Sequence, residues 1–199
     1  MALRFAILGL LAETPQTGYQ LKSSFDGSVG YFWQAKFQQI YAELKRLERE
    51  GLVAGEVIPQ KGKPTKTVFS LTAKGEAGLK RWVDTPSTPH PVRDEFLVKV
   101  FSINRLPAGR AVERFLEYRR HHEERLAAYR AIEARLEEAG WVAGDRIDPG
   151  LLGRYLALRR GIGYERDCLD WCDWAITVLK RRQAPPPPAR ARGRRARRR

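Results

Sequence analysis

Residues 37–53 read FQQIYAELKRLEREGLV, and their apolar positions recur at helical spacing. At 100° per residue, Phe37, Ile40, Leu44 and Leu47 fall within about 80° of one another, a stripe suited to a core. The spacing predicts a helix from about Gln34 to Glu50, stopped by Gly51 at the position after the C-cap. Upstream, the compact apolar segment Leu3–Ala12 predicts a first helix, broken at residues 14–18. Thr17 can cap a second, Gly18–Phe25, and residues 26–30 form a turn-rich connection. Downstream, Leu52–Ile58 and Lys66–Thr72 fit strands, with Val68 alternating with Ser70 and Phe69 with Leu71. The loop Pro59–Thr65 joins them, and Thr72 caps a fourth helix, Ala73–Val83. Three helices followed by a hairpin, in that order, specify a winged helix-turn-helix over residues 1–84.

A proline-rich linker, residues 85–92, separates this domain from a wholly helical second half, residues 93–183. A short helix is expected over Arg93–Ile103. A long one opens at Leu106-Pro107, runs to Glu138 and is stopped by Gly140. Asp148 as N-cap and Pro149 at N1 are expected to open the last helix. In it Leu151, Tyr155, Leu158, Ile162, Glu165, Leu169, Cys172, Ile176 and Leu179 follow a 4-3-4-3 spacing with only Glu165 polar. Such a seam argues for helix pairing, within the chain or between subunits. The preceding helix has a weaker seam (Phe115, Arg119, His122, Leu126, Tyr129, Leu136) interrupted by Arg119–His122. Residues 184–199 begin with a four-proline run and continue into an arginine-rich tail, expected to be disordered. The fold class is therefore mainly α with a small β-hairpin: an N-terminal winged helix-turn-helix followed by a C-terminal helical dimerisation domain.

The net charge of +14 favours a polyanionic partner. Seven arginines of the tail account for half of it, leaving +7 on residues 1–183. The body is basic without the tail. The outward side of the third helix carries Gln38, Ala42, Lys45 and Arg49, flanked by Gln39 and Arg46. Glutamine can pair with adenine edges, and Lys or Arg with guanine or phosphate; alanine at the centre lets the helix approach a groove closely. A solvated amphipathic face would look similar in isolation. Its place after a helix and short loop, and before a basic hairpin, favours double-stranded DNA. The hairpin tip, residues 61–66, holds three lysines suited to phosphate or minor-groove contact.

The segments Ala6–Ala12, Thr17–Leu21, Phe32-Trp33, Gln39–Val53 and Val68–Gly75, in order over the first 80 or so residues, together resemble the PadR family of bacterial transcriptional regulators. The helical half resembles the C-terminal domain of the longer family members by length and pattern alone. The resemblance implies a homodimer on an inverted-repeat operator. Each third helix would enter a major groove with its wing beside the backbone, and the C-terminal helices would form most of the dimer contact, helped by the first helix. It also implies repression of a nearby promoter, released by a small, often phenolic, molecule. Two departures bear on specificity: Ala42 stands where the family commonly has proline, and residues 62–66 replace the usual arginine-rich or doubled-proline wing. The residues expected on the duplex are Tyr19, Lys22, Lys36, Gln38, Gln39, Tyr41, Ala42, Lys45, Lys61, Lys63, Thr65 and Lys66. Those expected to pair subunits are Leu151, Tyr155, Leu158, Ile162, Leu169, Cys172, Ile176 and Leu179.

Trp82, Trp171 and Trp174 are candidate walls of a pocket for a small aromatic effector, with ordinary packing as the alternative for each. Gly161-Ile-Gly163 follows no strand and reads as a place of close helix approach or a bend. His121 and His122 lack a spaced partner for a metal, and Cys168 and Cys172 suit buried thiols in a reducing compartment. No nucleophile, paired-carboxylate or phosphate-loop arrangement has supporting context, so neither an enzyme nor a cofactor is expected. The longest apolar run, Phe5–Ala12, is too short to cross a membrane, and a cytoplasmic location is expected. Two other functions fit less well. One is a winged-helix protein-interaction module; the other is non-specific nucleic-acid binding driven by the basic tail.

Overall fold

The computed structural model describes residues 2–60, 62–88 and 93–183, apart from the side chains of Tyr31, Lys63 and Pro64. The chain divides at Pro91 into two compact units. The first holds α1 (Ala2–Glu13), β1 (Gln16–Thr17), α2 (Gly18–Asp26), a 3-10 turn at Val29–Tyr31, α3 (Phe37–Arg49), β2 (Val53–Gln60), β3 (Lys63–Leu71) and α4 (Ala73–Asp84). Local chemistry sets most of these ends. At α2 the Gln20 backbone N–H donates to Thr17 Oγ1 (3.3 Å) and the Thr17 N–H to Gln20 Oε1 (2.9 Å), a reciprocal capping box. At the end of α3, Gly51 takes φ +71°, and the Leu52 N–H closes back on Leu47 O at 2.9 Å. Thr72 caps α4 by accepting from the Gly75 N–H at 3.1 Å. Gly75 itself is required by closeness: a Cβ there would overlap the Leu52 carbonyl oxygen.

α3 starts three residues later than the spacing predicts, because the Lys36 N–H bonds Gln39 Oε1 at 2.8 Å and fixes the helix start there. The hairpin is longer than expected. β2 and β3 run through residues assigned to the loop, pairing Ile58 with Lys66 and Gln60 with Lys63 across a bulge, and leave a tight tip where Gly62 has φ +69°. β1 is unforeseen. Gln16 pairs with Phe69 and Thr17 with Val68, giving a three-stranded sheet in the order β1-β3-β2. Gln16 is buried there, donating to Leu10 O (3.2 Å) and accepting from Ser24 Oγ (2.8 Å). The core joins Ile7, Leu8, Leu10 and Leu11 of α1 to Leu21 and Phe25 of α2, to Ile40, Leu44 and Leu47 of α3, and to Val53 and Phe69 of the sheet.

The second unit comprises α5 (Glu95–Phe101), a 3-10 turn at Ile103–Arg105, α6 (Ala108–Glu138), the two-residue strands β4 (Val142–Ala143) and β5 (Arg146–Ile147), and α7 (Leu152–Gln183). α5 is shorter than predicted because Asp94 caps it, accepting from the Phe96 N–H at 2.7 Å. α6 ends as expected, with Gly140 at φ +73° and the Trp141 N–H on Leu136 O at 3.0 Å. Asp148 and Pro149 do not open α7. Asp148 Oδ1 instead accepts from the Gly150 N–H at 2.8 Å, holding a turn that follows the β4–β5 hairpin, and the helix begins at Leu152.

The seam of α7 closes on α6 of the same chain. Tyr155, Ile162, Cys172, Ile176 and Leu179 are buried within the subunit, Leu158 and Leu169 are half-buried, and Leu151 precedes the helix. Five of the eight residues expected to pair subunits, Tyr155, Ile162, Cys172, Ile176 and Leu179, are therefore covered within the chain, while Leu151, Leu158 and Leu169 keep part of their surface open. Residues 184–199 and residues 89–92 of the linker lie outside the described residues.

Candidate nucleic-acid interface

α3 presents one side to the core and the other to solvent. Gln38, Tyr41, Ala42, Arg46 and Arg49 are exposed, as are Lys36 at its start and Thr65 and Lys66 on β3. Between the start of α2, α3 and β3 lies an open concavity of about 440 Å³, lined by Thr17–Gln20, Phe37, Tyr41, Thr65–Thr67 and Phe69. Tyr19 is 81% exposed at its rim. Tyr41 packs on the first turn of α2, where a Cβ at Gly18 would lie 3.3 Å from its ring.

Several predicted polar groups have protein partners. Gln39 uses its carbonyl oxygen to cap α3. Lys45 bonds Glu48 at 3.0 Å and stands over the rings of Phe69 (5.2 Å) and Tyr41 (5.9 Å), so it is held at the sheet side of the helix. Lys22 pairs with Asp26, and Arg46 with Glu50. Lys61 lies outside the described residues, as does the side chain of Lys63. Phe37 departs from the predicted core stripe: it is 42% exposed and stacks on Tyr41 with ring centroids 5.9 Å apart.

The far end of α3 is anchored. Glu50 receives Arg4 of α1 and Arg46, and its backbone carbonyl accepts from Lys74 Nζ of α4 at 2.7 Å. The Arg4 guanidinium holds the Glu50 carboxyl below the usual carboxylate range. These ties fix the angle at which the exposed face of α3 leaves the domain.

Comparison with known proteins agrees with this arrangement. A model of the PadR-like family of transcriptional regulators matches residues 7–81, and one for the C-terminal region of virulence activator alpha matches residues 92–180. The chain is 33% identical over 193 residues to the "probable transcriptional regulator Rv1176c" of Mycobacterium tuberculosis, covering 92% of this chain and 100% of that one. The chain belongs to the PadR-like family of transcriptional regulators. The negative transcriptional regulator PadR of Bacillus subtilis is 30% identical over 182 residues, 89% of this chain and 97% of its own length. That protein has been solved in complex with operator DNA (TM-score 0.78, 29% identity) and with p-coumaric acid (TM-score 0.72, 28% identity), each covering 90% of this chain and 99% of the other.

In this PadR-like chain the three tryptophans proposed for a pocket have different surroundings. Trp82 is stacked on Phe5 at 4.4 Å within the first unit and remains half exposed. Trp171 is packed among Phe96, Phe115 and Tyr118 in the second unit, the packing alternative raised for it. Trp174 is exposed. A polar cluster escaped sequence reasoning: Glu165 is fully buried, its carboxylate bonded to His122 Nδ1 and 3.2 Å from Arg125 Nε. The signal was present as the one polar residue of the α7 seam facing the interruption in the α6 seam. Gly161 allows the close approach expected of it, since a Cβ there would press on the Tyr129 ring. Burial pushes the Cys172 thiol up to about 11 and raises that of Cys168. No helix among the described residues is long and apolar enough to cross a membrane.

Proposed function

We propose that the chain acts in the cytoplasm as a homodimeric repressor on double-stranded operator DNA, without catalysis. The observation that carries this reading is the solvent-facing side of α3, with Gln38, Ala42 and Arg49 outward, set beside the Lys66-bearing strand of the wing. The N-terminal part of such a helix enters the major groove and reads base edges, while the wing lies along phosphates. Gln38 serves as the adenine reader and Ala42 as the point of close approach. Lys36, Tyr19, Thr65, Lys66 and the wing-tip Lys61 and Lys63 serve the backbone, and Tyr41 seats α2 against α3. Lys22, Gln39 and Lys45 support this surface through their protein partners rather than by reading bases. The relative from Bacillus subtilis, solved with operator DNA, supports the reading.

Subunit pairing falls to apolar residues that the α6–α7 pair leaves exposed: Leu152, Leu156, Trp174 and Val178 of α7. A small aromatic effector releases the operator, in keeping with the p-coumaric acid complex of the relative. Selection of duplexes from a random library by the full chain tests the reading. It should enrich an inverted repeat with half-sites about one helical turn, or a multiple of it, apart. A library that emerges without an enriched sequence contradicts it.

A further inference from the structure

Phe37 has no evident structural employment. It is the first residue of α3, belongs neither to the buried core nor to the apolar residues packed against it, and is 42% exposed. It is nevertheless held in place. Its ring stacks on Tyr41, whose own ring is fixed from below by the first turn of α2 and from the side by Lys45. Leaving a rigid aromatic face in water forgoes the burial that an ordinary core phenylalanine gains. Around it the surface is polar and basic: Lys36 precedes it, Gln38 follows it, and Thr65 and Lys66 line the same concavity.

A polar, cationic surface with an apolar ring held on Tyr41 at the tip of a groove-entering helix, across from the exposed Tyr19, is complementary to one feature of B-DNA. The major groove edges of the bases are polar except for the C5-methyl group of thymine. We infer that Phe37, supported by Tyr41, is a specificity-determining residue that contacts a thymine methyl at the end of each half-site reached by the first turn of α3. The inference rests on the operator reading given above. It adds to that reading a base preference carried by an apolar contact, next to the hydrogen-bonded adenine contact of Gln38. Tyr41 is the positioning residue, because its ring sets the direction of the Phe37 face.

The test uses the full chain and the tightest duplex recovered from the random library. Each thymine is replaced in turn by uracil, which keeps base pairing and removes only the methyl group. For the unaltered protein, one replacement per half-site should weaken binding about fourfold, the value of one buried methyl group. Phe37→Ala should bind the thymine duplex more weakly and no longer distinguish it from the uracil duplex. Phe37→Leu, which keeps an apolar side chain, should retain part of the difference. Circular dichroism melting confirms that both variants are folded, as expected for a residue outside the core. Equal binding of all uracil duplexes by the unaltered protein, or methyl discrimination that survives in Phe37→Ala, overturns the inference while leaving operator binding intact. Failure to recover any preferred duplex would instead remove the operator reading itself.

Discussion

The two units of the chain solve opposite problems. The winged-helix unit gathers short elements from many directions around one core, and α2, α3 and α4 are started or stopped by local devices: Thr17, Gly51, Thr72 and the close-packed Gly75. The helical unit relies on two long helices whose mutual burial runs along their length, with few local signals between their ends. Its core is also mixed. Glu165 and His122 sit in the middle of an otherwise apolar seam, and Arg119 bonds Asp173 across it at 2.8 Å. The lesson is that the first unit is specified by caps and turns and the second by pairing. A change at a cap should therefore be felt in the first unit, and a change at the buried polar pair in the second.

The largest effect is expected at His122. His122→Ala leaves the fully buried Glu165 carboxylate with only Arg125 beside it, and should destabilise the helical unit by about 3 kcal/mol. The double variant His122→Leu with Glu165→Leu should recover most of that loss. Urea unfolding followed by tryptophan fluorescence, to which Trp141, Trp171 and Trp174 contribute from the helical unit, measures both, and a double variant no better than the single would deny that the buried carboxyl group deprived of its hydrogen-bond partner is the cause. Next comes Gly75→Ala, which forces a methyl group against the Leu52 carbonyl and should cost the winged-helix unit about 2 kcal/mol. Thr17→Ala, which removes half of the capping box of α2, should cost about 1 kcal/mol in the same unit. Equal melting shifts for Gly75→Ala and a control with room for the methyl group, such as Gly78→Ala, would contradict the packing account.

The smallest effect is one of pH. The Glu50 carboxyl lies below its ordinary value of 4.5, chiefly through its bond to Arg4. Because the folded value is lowered, the stabilisation is present at neutral pH and is lost as the pH falls through that lowered value. Arg4→Met should therefore unfold at lower urea than the unaltered protein at pH 7, and the two midpoints should converge in acid. A gap that does not narrow at all as the pH is lowered would assign the effect to packing of the Arg4 side chain instead.

What the sequence makes legible follows the same division. Capping threonines and terminal glycines act through neighbours a few residues away, so Thr17, Thr72, Gly51 and Gly140 could be read directly. The outward face of α3 follows from helical spacing for the same reason. Phe37 escaped because the stripe extrapolates past the core when α3 begins at Phe37 rather than three residues earlier. For Lys45 and Gln39 a helical wheel shows direction and not partners: Glu48 bonds the first, and the Lys36 N–H bonds the second. The two-residue strand β1 carries no periodicity at all. The α7 seam is legible as a seam, but a 4-3-4-3 spacing is equally suited to either kind of partner. Only the fold shows it closing on α6.

The central claim is that the solvent-facing side of α3 reads bases rather than merely meeting water. Binding of unaltered protein and Gln38→Ala to the selected duplex and to random DNA, at one salt concentration, tests it most directly. The variant should lose roughly tenfold on the selected duplex, as expected for one bidentate base contact, and nothing measurable on random DNA. Equal losses on the two duplexes, or no loss on either, would contradict it.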